Sequence, residues 1–317
     1  MTSSHCNFTR KSYLLSMVLP IVHSPAYDAQ FPSGHRFPMS KYRLLADVIV
    51  GDGLATRDSF HVPSPAPANW VKLAHNADYV DQVYAFDVPQ KIQKLVGFEM
   101  TEKAIIRTQC ATTGTVMAAR LALETGIACN TAGGSHHANS LHGAGFCTFN
   151  DVAVATRLLI SSGEISNALV FDTDVHQGDG TAEIFQNDDR VFTVSLHADN
   201  NYPHPKQVSD LDVPLPDGME DHAYLKTITL TLESLRDQIH PDIVFFNAGV
   251  DVHKDDRLGR LALTDYGIEQ RERLVISHFR SRGIPVCGVI GGGYSKDIEA
   301  LSKRHAILHR VAAEFAY

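Results

Sequence analysis

The sequence predicts an α/β fold: a single domain with a central, mostly parallel sheet and helices on both faces. Three observations carry that expectation. From about residue 104 onward, helical patterns alternate with short apolar runs, and such alternation implies right-handed βαβ units. The apolar runs are unbroken stretches of Val, Ile, Phe and Ala, which means burial on both faces, as in a parallel sheet. The chain has 317 residues, 44% hydrophobic and 20% charged, an ordinary globular composition at a length that α/β folds often reach as one unit.

Residues 1–17 read as a polar N-terminal extension and 18–317 as the domain. Arg10 and Lys11 before the apolar stretch 13–22, with Ser24, Pro25 and Ala26 after it, loosely mimic a secretory signal. A first buried strand over 18–22 is the better reading, because the cleavage region is poor. Residues 102–126 form a long, Ala-rich amphipathic pattern, and 127–130 a short strand. Helices follow over 151–161, 181–186, 222–238, 264–281 and 296–315, with strands at 168–172, 191–196, 243–247 and 285–290.

A net charge of −8 argues against a basic nucleic-acid footprint. No apolar run reaches the ~18 residues a membrane helix needs. Cys6, Cys110, Cys129, Cys147 and Cys287 are scattered, odd in number and without a CxxC pair. That speaks against a disulfide framework or a cysteine zinc cluster and fits a reducing compartment. The expected location is cytoplasmic, or nuclear in a eukaryote.

In open α/β sheets, ligands bind beyond the carboxyl ends of strands, and the polar residues cluster there. Asp172, Asp174 and His176 follow one strand, Ser195 and His197 end the next, Asp251 follows a third, and Gly291-Gly292-Gly293-Tyr294 follows the last. Asp172-Thr173-Asp174-Val175-His176 places three ligand-type side chains at i, i+2 and i+4, which share one side if the backbone stays extended. A carboxylate and an imidazole two residues apart, with Asp251 from a neighbouring strand end, make a catalytic type of zinc site with an open position. The alternative is a set of strand-end aspartates capping helices or satisfying loop amides. A binuclear site would want carboxylates at 178 and 253, but Gly178 and His253 stand there, so a single metal is favoured.

Gly133-Gly134-Ser135-His136-His137 is the second signal. Two adjacent imidazoles with different partners could divide proton transfer, since their ordinary pKa lies near working pH, and Asp172 and Asp179 are available to orient them; a surface histidine pair is the alternative. In the third, the glycines could present Tyr294 inward, where a phenol can donate to an oxyanion. A tight turn with a packed tyrosine is also compatible. A phosphate-cradling loop is disfavoured, because neither GxxxxGK[ST] nor GxGxxG spacing is present.

Together, GGSHHANSLHGAGFCTFND, VFDTDVHQGDG, TVSLH, FNAGVDVHKDDRLGRLALT and IGGGY resemble, in order, the histone deacetylase family of the arginase–deacetylase fold. HSPAYDAQFPSGHRFPMSKY also resembles family sequence, especially the compact class IV-like and bacterial branches. The resemblance implies that Asp174, His176 and Asp251 bind one catalytic zinc. It implies that His137 is general base and then acid, His136 its electrostatic neighbour, Asp172 the partner of His136, Asp179 the partner of His137, and Tyr294 the group that polarises the acyl oxygen. Gly145, Phe146 and Tyr202 would line an acyl-lysine tunnel. A structural potassium ion would sit against Asp172, Asp174, His176, Ser195 and Leu196.

The implied activity is removal of acetyl or longer acyl groups from lysine side chains of proteins or peptides. A deacetylase of small acylated amines such as acetylpolyamines would share every catalytic residue; a non-catalytic acyl-lysine binding module is the alternative of another class, and the full set of ligands, histidines and Tyr294 speaks against it. A ureohydrolase on the same fold is disfavoured by Gly178 and His253. No nucleic acid or membrane partner is implied, and an oligomer is compatible. Three departures stand out. Residues 90–107 show no clear counterpart of the acidic loop residue that grips the peptide backbone in class I relatives. Gln177 replaces a frequent second histidine, with little consequence expected. His253 is either a rim residue or a spectator.

Overall fold

The computed structural model describes residues 18–32 and 34–316; the expected extension 1–17, with Cys6, and Tyr317 lie outside the described residues. The strands are β1 (Ile21–Val22), β2 (Ile127–Asn130), β3 (Ala168–Asp172), β4 (Val191–Ala198), β5 (Leu211–Leu215), β6 (Val244–Asn247) and β7 (Val286–Val289). They form one sheet in the order β1-β2-β7-β6-β3-β4-β5, parallel at every pairing. All carboxyl ends therefore share one rim.

The helices are α1 (Lys41–Gly51), α2 (Ala68–Val71), α3 (Ala77–Tyr84), α4 (Gln90–Val96), α5 (Glu102–Thr125), α6 (Asp151–Ser161), α7 (Asp179–Phe185), α8 (Asp221–Leu235), α9 (Asp265–Arg280) and α10 (Ile298–Ala313). Side chains alternate across a strand, and here both alternating sets are apolar. Ile127, Leu169, Phe171, Val244, Phe246 and Val286 join a core with residues of α1, α8, α9 and α10. Ala128, Val170, Phe245, Cys287 and Val289 join a second core with residues of α3, α5 and α6. The fold class expected from the sequence is the one observed.

Most elements from α5 onward match their expected ranges to within one to three residues. α5 begins where Thr101 accepts a hydrogen bond from the Ala104 amide and ends at Gly126, whose φ is +88°, a left-handed conformation that costs glycine little. β1 is shorter than expected, and β5 was not anticipated. That strand pairs only with β4, so one edge is free. Its half-exposed sequence, with Pro214, lacks the continuous apolar run that marks a central strand. Helices α1 to α4 were likewise not assigned. The four described cysteines are free and buried. Among the described residues no helix is long and apolar enough to cross a membrane.

Candidate active site

Four neighbouring strands, β2, β7, β6 and β3, deliver the loops that meet at the rim. β3 ends at Asp172 and the backbone turns at once. The Asp172 Oδ1 accepts the Asp174 amide at 3.0 Å, and Asp174 Oδ1 accepts the His176 amide at 3.0 Å. The three alternating residues therefore do not stay extended on one face. Asp172 turns to the histidine loop, while Asp174 and His176 turn toward Asp251 beyond β6. Ligand atoms of Asp174, His176 and Asp251 all lie within 4.8 Å of one another, and all three residues are buried. His176 Nδ1 is 3.0 Å from Asp174 Oδ1 and 3.2 Å from Asp251 Oδ2.

This donor set fits a divalent cation. Two buried carboxylates held together are costly unless a positive charge is shared between them. Burial, and then the Asp174 carboxylate, push Asp251 up to about 7. The surrounding backbone is shaped to the cluster. The Val175 amide donates to Asp251 Oδ1 at 2.9 Å and the Gly292 amide to Asp174 Oδ2 at 2.6 Å. A Cβ on Gly292 would lie 2.1 Å from Asp251 Oδ2 and 2.7 Å from Asp174 Oδ2, so only glycine fits there. Behind them, the fully buried Arg271 donates to the carbonyls of Thr173 and Gly249 at 3.2 and 2.7 Å, tying the β3 and β6 loops together.

The histidine pair sits on the loop after β2. Gly133 and Gly134 have φ of +86° and +82°, and the loop's amides end on one carboxylate. Asp151, at the start of α6, accepts from the amides of Gly134 at 3.1 Å and Ser135 at 2.8 Å. Sequence reading placed Asp151 only as a helix start, although an Asn-Asp pair at a helix N-terminus beside this loop carries that signal. His136 Nδ1 bonds Asp172 Oδ2 at 2.7 Å, and His137 Nδ1 bonds Asp179 Oδ1 at 2.6 Å, the pairings the resemblance implied. Burial alone would lower His136, but the Asp172 and Asp174 carboxylates outweigh it and hold it up at about 9. Burial, with the His136 charge, drives His137 down to about 4. Adjacent groups pushed apart in this way can take different proton-transfer roles.

Tyr294 is 7% exposed, and its amide donates to Asp256 Oδ2 at 2.6 Å. Burial, and then the Asp174 and Asp251 carboxylates, push its phenol well above its ordinary pKa. A cavity of about 370 Å³ is lined by Gly145, Phe146, His137, His176, Tyr202 and Tyr294, among others. The Tyr202 ring is 4.8 Å from that of His137, and the Phe146 ring is 5.7 Å from that of Tyr294. Phe146 has φ of +67°, a strained conformation for a non-glycine residue that persists only where its surroundings over-determine it. Here the Gly145 and Phe146 amides donate to the carbonyls of Leu95 and Val96 at 3.0 and 2.8 Å, so the end of α4 fixes this wall.

Of the residues expected around a potassium ion, Asp172 and Ser195 are register partners across β3 and β4, and Leu196 follows on β4. Gln177 does more than expected. Its side chain is buried and bonds Gln207 O, Gln207 N and Asp212 Oδ1, each at 2.8 Å, which holds the 207 loop and β5. His253 is buried, accepts the Asp255 amide at 3.0 Å, and is not among the residues that line the cavity.

Lys41 was missed. It is fully buried, 0% exposed, with Nζ 3.4 Å from the carbonyl oxygens of Gly291 and Gly293. Burial pulls its pKa down to about 8, against the pull of Asp251. The signal lay in α1, where Lys41 precedes Leu45 and Ile49 at intervals of four on the apolar face.

The histone deacetylase domain family model matches residues 35–309. An uncharacterized protein of Picosynechococcus sp. is 46% identical over 298 residues, 94% of this chain and 99% of that one. Histone deacetylase 2 of Arabidopsis thaliana is 28% identical over 310 residues, 92% and 80% of the two chains. The crystal structure of an HDAC homolog from Aquifex aeolicus superposes with a TM-score of 0.79 at 23% identity, covering 93% of this chain and 84% of that chain. A structure of an HDAC homolog complexed with SAHA gives the same values. At that identity the solved structures speak for the fold, and the family model speaks for descent: the chain belongs to the histone deacetylase family.

Proposed function

We propose that this protein is a zinc-dependent deacylase that removes acetyl or longer acyl groups from lysine side chains of proteins or peptides. Family and fold support a deacetylase activity, that is, a hydrolase acting on amides. The observation that carries the finer reading is the buried Asp174–His176–Asp251 cluster, whose His176 lines a cavity that also presents His137 and Tyr294. Asp174, His176 and Asp251 would hold the metal. Bound there, a divalent ion polarises an amide carbonyl and acidifies water.

The chain's own residues supply the rest. Gly145, Phe146 and Tyr202 enclose the acyl-lysine stem and keep bulk water out. His137 is oriented by Asp179 through Nδ1, which leaves Nε2 to take a proton from the attacking water and to return it to the departing amine. His136, held by Asp172, stays cationic beside it and favours negative charge in the site. The Tyr294 hydroxyl stays protonated and donates to the oxygen that becomes anionic. A structural potassium ion held by Asp172, Asp174, His176, Ser195 and Leu196 is part of the proposal, supported by their adjacency at the ends of β3 and β4.

The test is an assay of purified protein on an acetyl-lysine peptide, before and after chelation and after zinc is restored. Turnover that disappears with chelator and returns with zinc is expected; undiminished turnover after complete metal removal overturns the reading.

A further inference from the structure

The substrate cavity opens between two basic side chains. Arg36 and Lys94 line it, and no Asp or Glu does. Arg36 also lines a second groove of about 690 Å³, together with Phe31, Pro38, Arg257 and Lys296. Cavity and groove together present Arg36, Arg43, Lys94, Arg257 and Lys296 against one acid, Asp28. Asp28 is already engaged, 3.7 Å from Arg43 Nε. Arg36, Lys94, Arg257 and Lys296 are exposed, and among the described residues none of the four forms an ion pair. A chain of net charge −8 thus places four exposed cations, none in an ion pair among the described residues, around the cavity and the adjoining groove.

The positions of these cations follow from the tunnel wall. Lys94 lies in the last turn of α4, next to Leu95 and Val96, whose carbonyls bind the Gly145 and Phe146 amides. Arg36 precedes Phe37, whose ring is 5.4 Å from Phe146 and 6.1 Å from Tyr294. Arg257 donates its backbone amide to the Tyr294 carbonyl at 3.2 Å. Arg36 and Lys94 are therefore each one residue from a segment anchored to the site, Arg257 is anchored itself, and Lys296 follows Tyr294 by two residues. Like charges held this way raise the local concentration of an oppositely charged substrate and repel a cationic one.

We propose that the Arg36–Lys94–Arg257–Lys296 rim selects acyl-lysine peptides whose flanking residues are acidic, and disfavours acylated polyamines. The inference rests on the deacylase reading above. An extended peptide with its acyl-lysine in the cavity lays its flanks along the groove. A polyamine places ammonium groups against the same cations.

The experiment compares three acetyl-lysine peptides flanked on both sides by Glu-Glu, Ser-Ser or Lys-Lys, together with N-acetylspermidine, on the zinc-loaded 317-residue protein. The expected order in kcat/KM is Glu, then Ser, then Lys. About tenfold should separate the first from the last at low salt, shrinking as salt screens exposed charges. The Arg257→Glu/Lys296→Glu double variant should collapse the Glu-to-Lys ratio, its folding being checked by thermal midpoint. A flat order, a preference for Lys flanks, N-acetylspermidine turnover above that of the Ser peptide, or a DNA oligonucleotide outcompeting the Glu peptide would overturn the proposal. Failure of all four substrates, the Ser peptide included, would instead count against the deacylase reading.

Discussion

The Lys41 ammonium lies 5.7 Å from the centre of the Tyr294 ring and within 3.4 Å of the carbonyls on either side of Gly292. A single cation thus touches both the tyrosine and the glycine loop that delivers it. Burying an ammonium with only long contacts is costly for stability, so its value is positional. Lys41→Met keeps the volume and removes the tie. The thermal midpoint is expected to hold or rise while kcat falls about tenfold, as expected for a displaced catalytic group. Unchanged kcat in that variant would assign Lys41 no part in placing Tyr294.

Tyr294→Phe removes one hydroxyl and nothing else from the cavity. Loss of a single oxyanion donor typically costs ~10²–10³ in turnover, and kcat is expected to fall by that order with bound zinc unchanged. Kinetics alongside metal analysis of the same preparation checks both halves. Full activity would remove the tyrosine from the mechanism.

Gly292→Ala alters no ligand, yet its Cβ would stand 2.1 Å from Asp251 Oδ2. It is expected to lose most of its zinc, as Asp174→Ala should. Gly51→Ala, where an added Cβ meets nothing within 4 Å, should keep the zinc. Atomic absorption on dialysed samples, with circular dichroism for folding, distinguishes the cases. Stoichiometric zinc in folded Gly292→Ala would count against the assigned ligands.

His75 gives a stability prediction. It is 3% exposed; its Nδ1 donates to the Asn139 carbonyl at 2.8 Å and its Nε2 accepts from the Asn150 amide at 2.9 Å. A second proton would set Nε2–H against that amide, and burial holds its pKa down at about 4. The unfolded chain takes up the proton near its ordinary 6.5, so this stability is full above that pH and is lost as pH falls toward 4. The loss is roughly 3 kcal/mol. Denaturant titrations of wild type and His75→Gln at pH 7 and pH 4 should show the smaller pH dependence in the variant; equal dependence would rule His75 out as a contributor.

Sequence periodicity revealed the parallel sheet because β2, β3, β6 and β7 are short, almost wholly apolar runs and β4 is buried along nearly all of its length, and burial on both faces leaves that mark. β5 left none, since an edge strand with Pro214 is half in water. Asp174, His176 and Asp251 were readable as donors at strand ends, and His136 and His137 as a pair on glycines, because rim chemistry sits at loop starts in such sheets. Asp151 was read only as a helix start, because a helix-starting aspartate gives little sign that it gathers the amides of a loop seventeen residues away.

By itself, then, the sequence determined the layered α/β architecture and the residue types able to bind a cation and move protons, since periodicity and local spacing are properties of neighbouring residues. Tertiary structure alone decided that His253 is buried and that Lys41 lies beneath the tyrosine loop. It also decided that Arg36, Lys94, Arg257 and Lys296 lie around the cavity and the adjoining groove. Those relations join segments up to about 260 residues apart, and only packing brings such segments within reach of a hydrogen bond or a shared field.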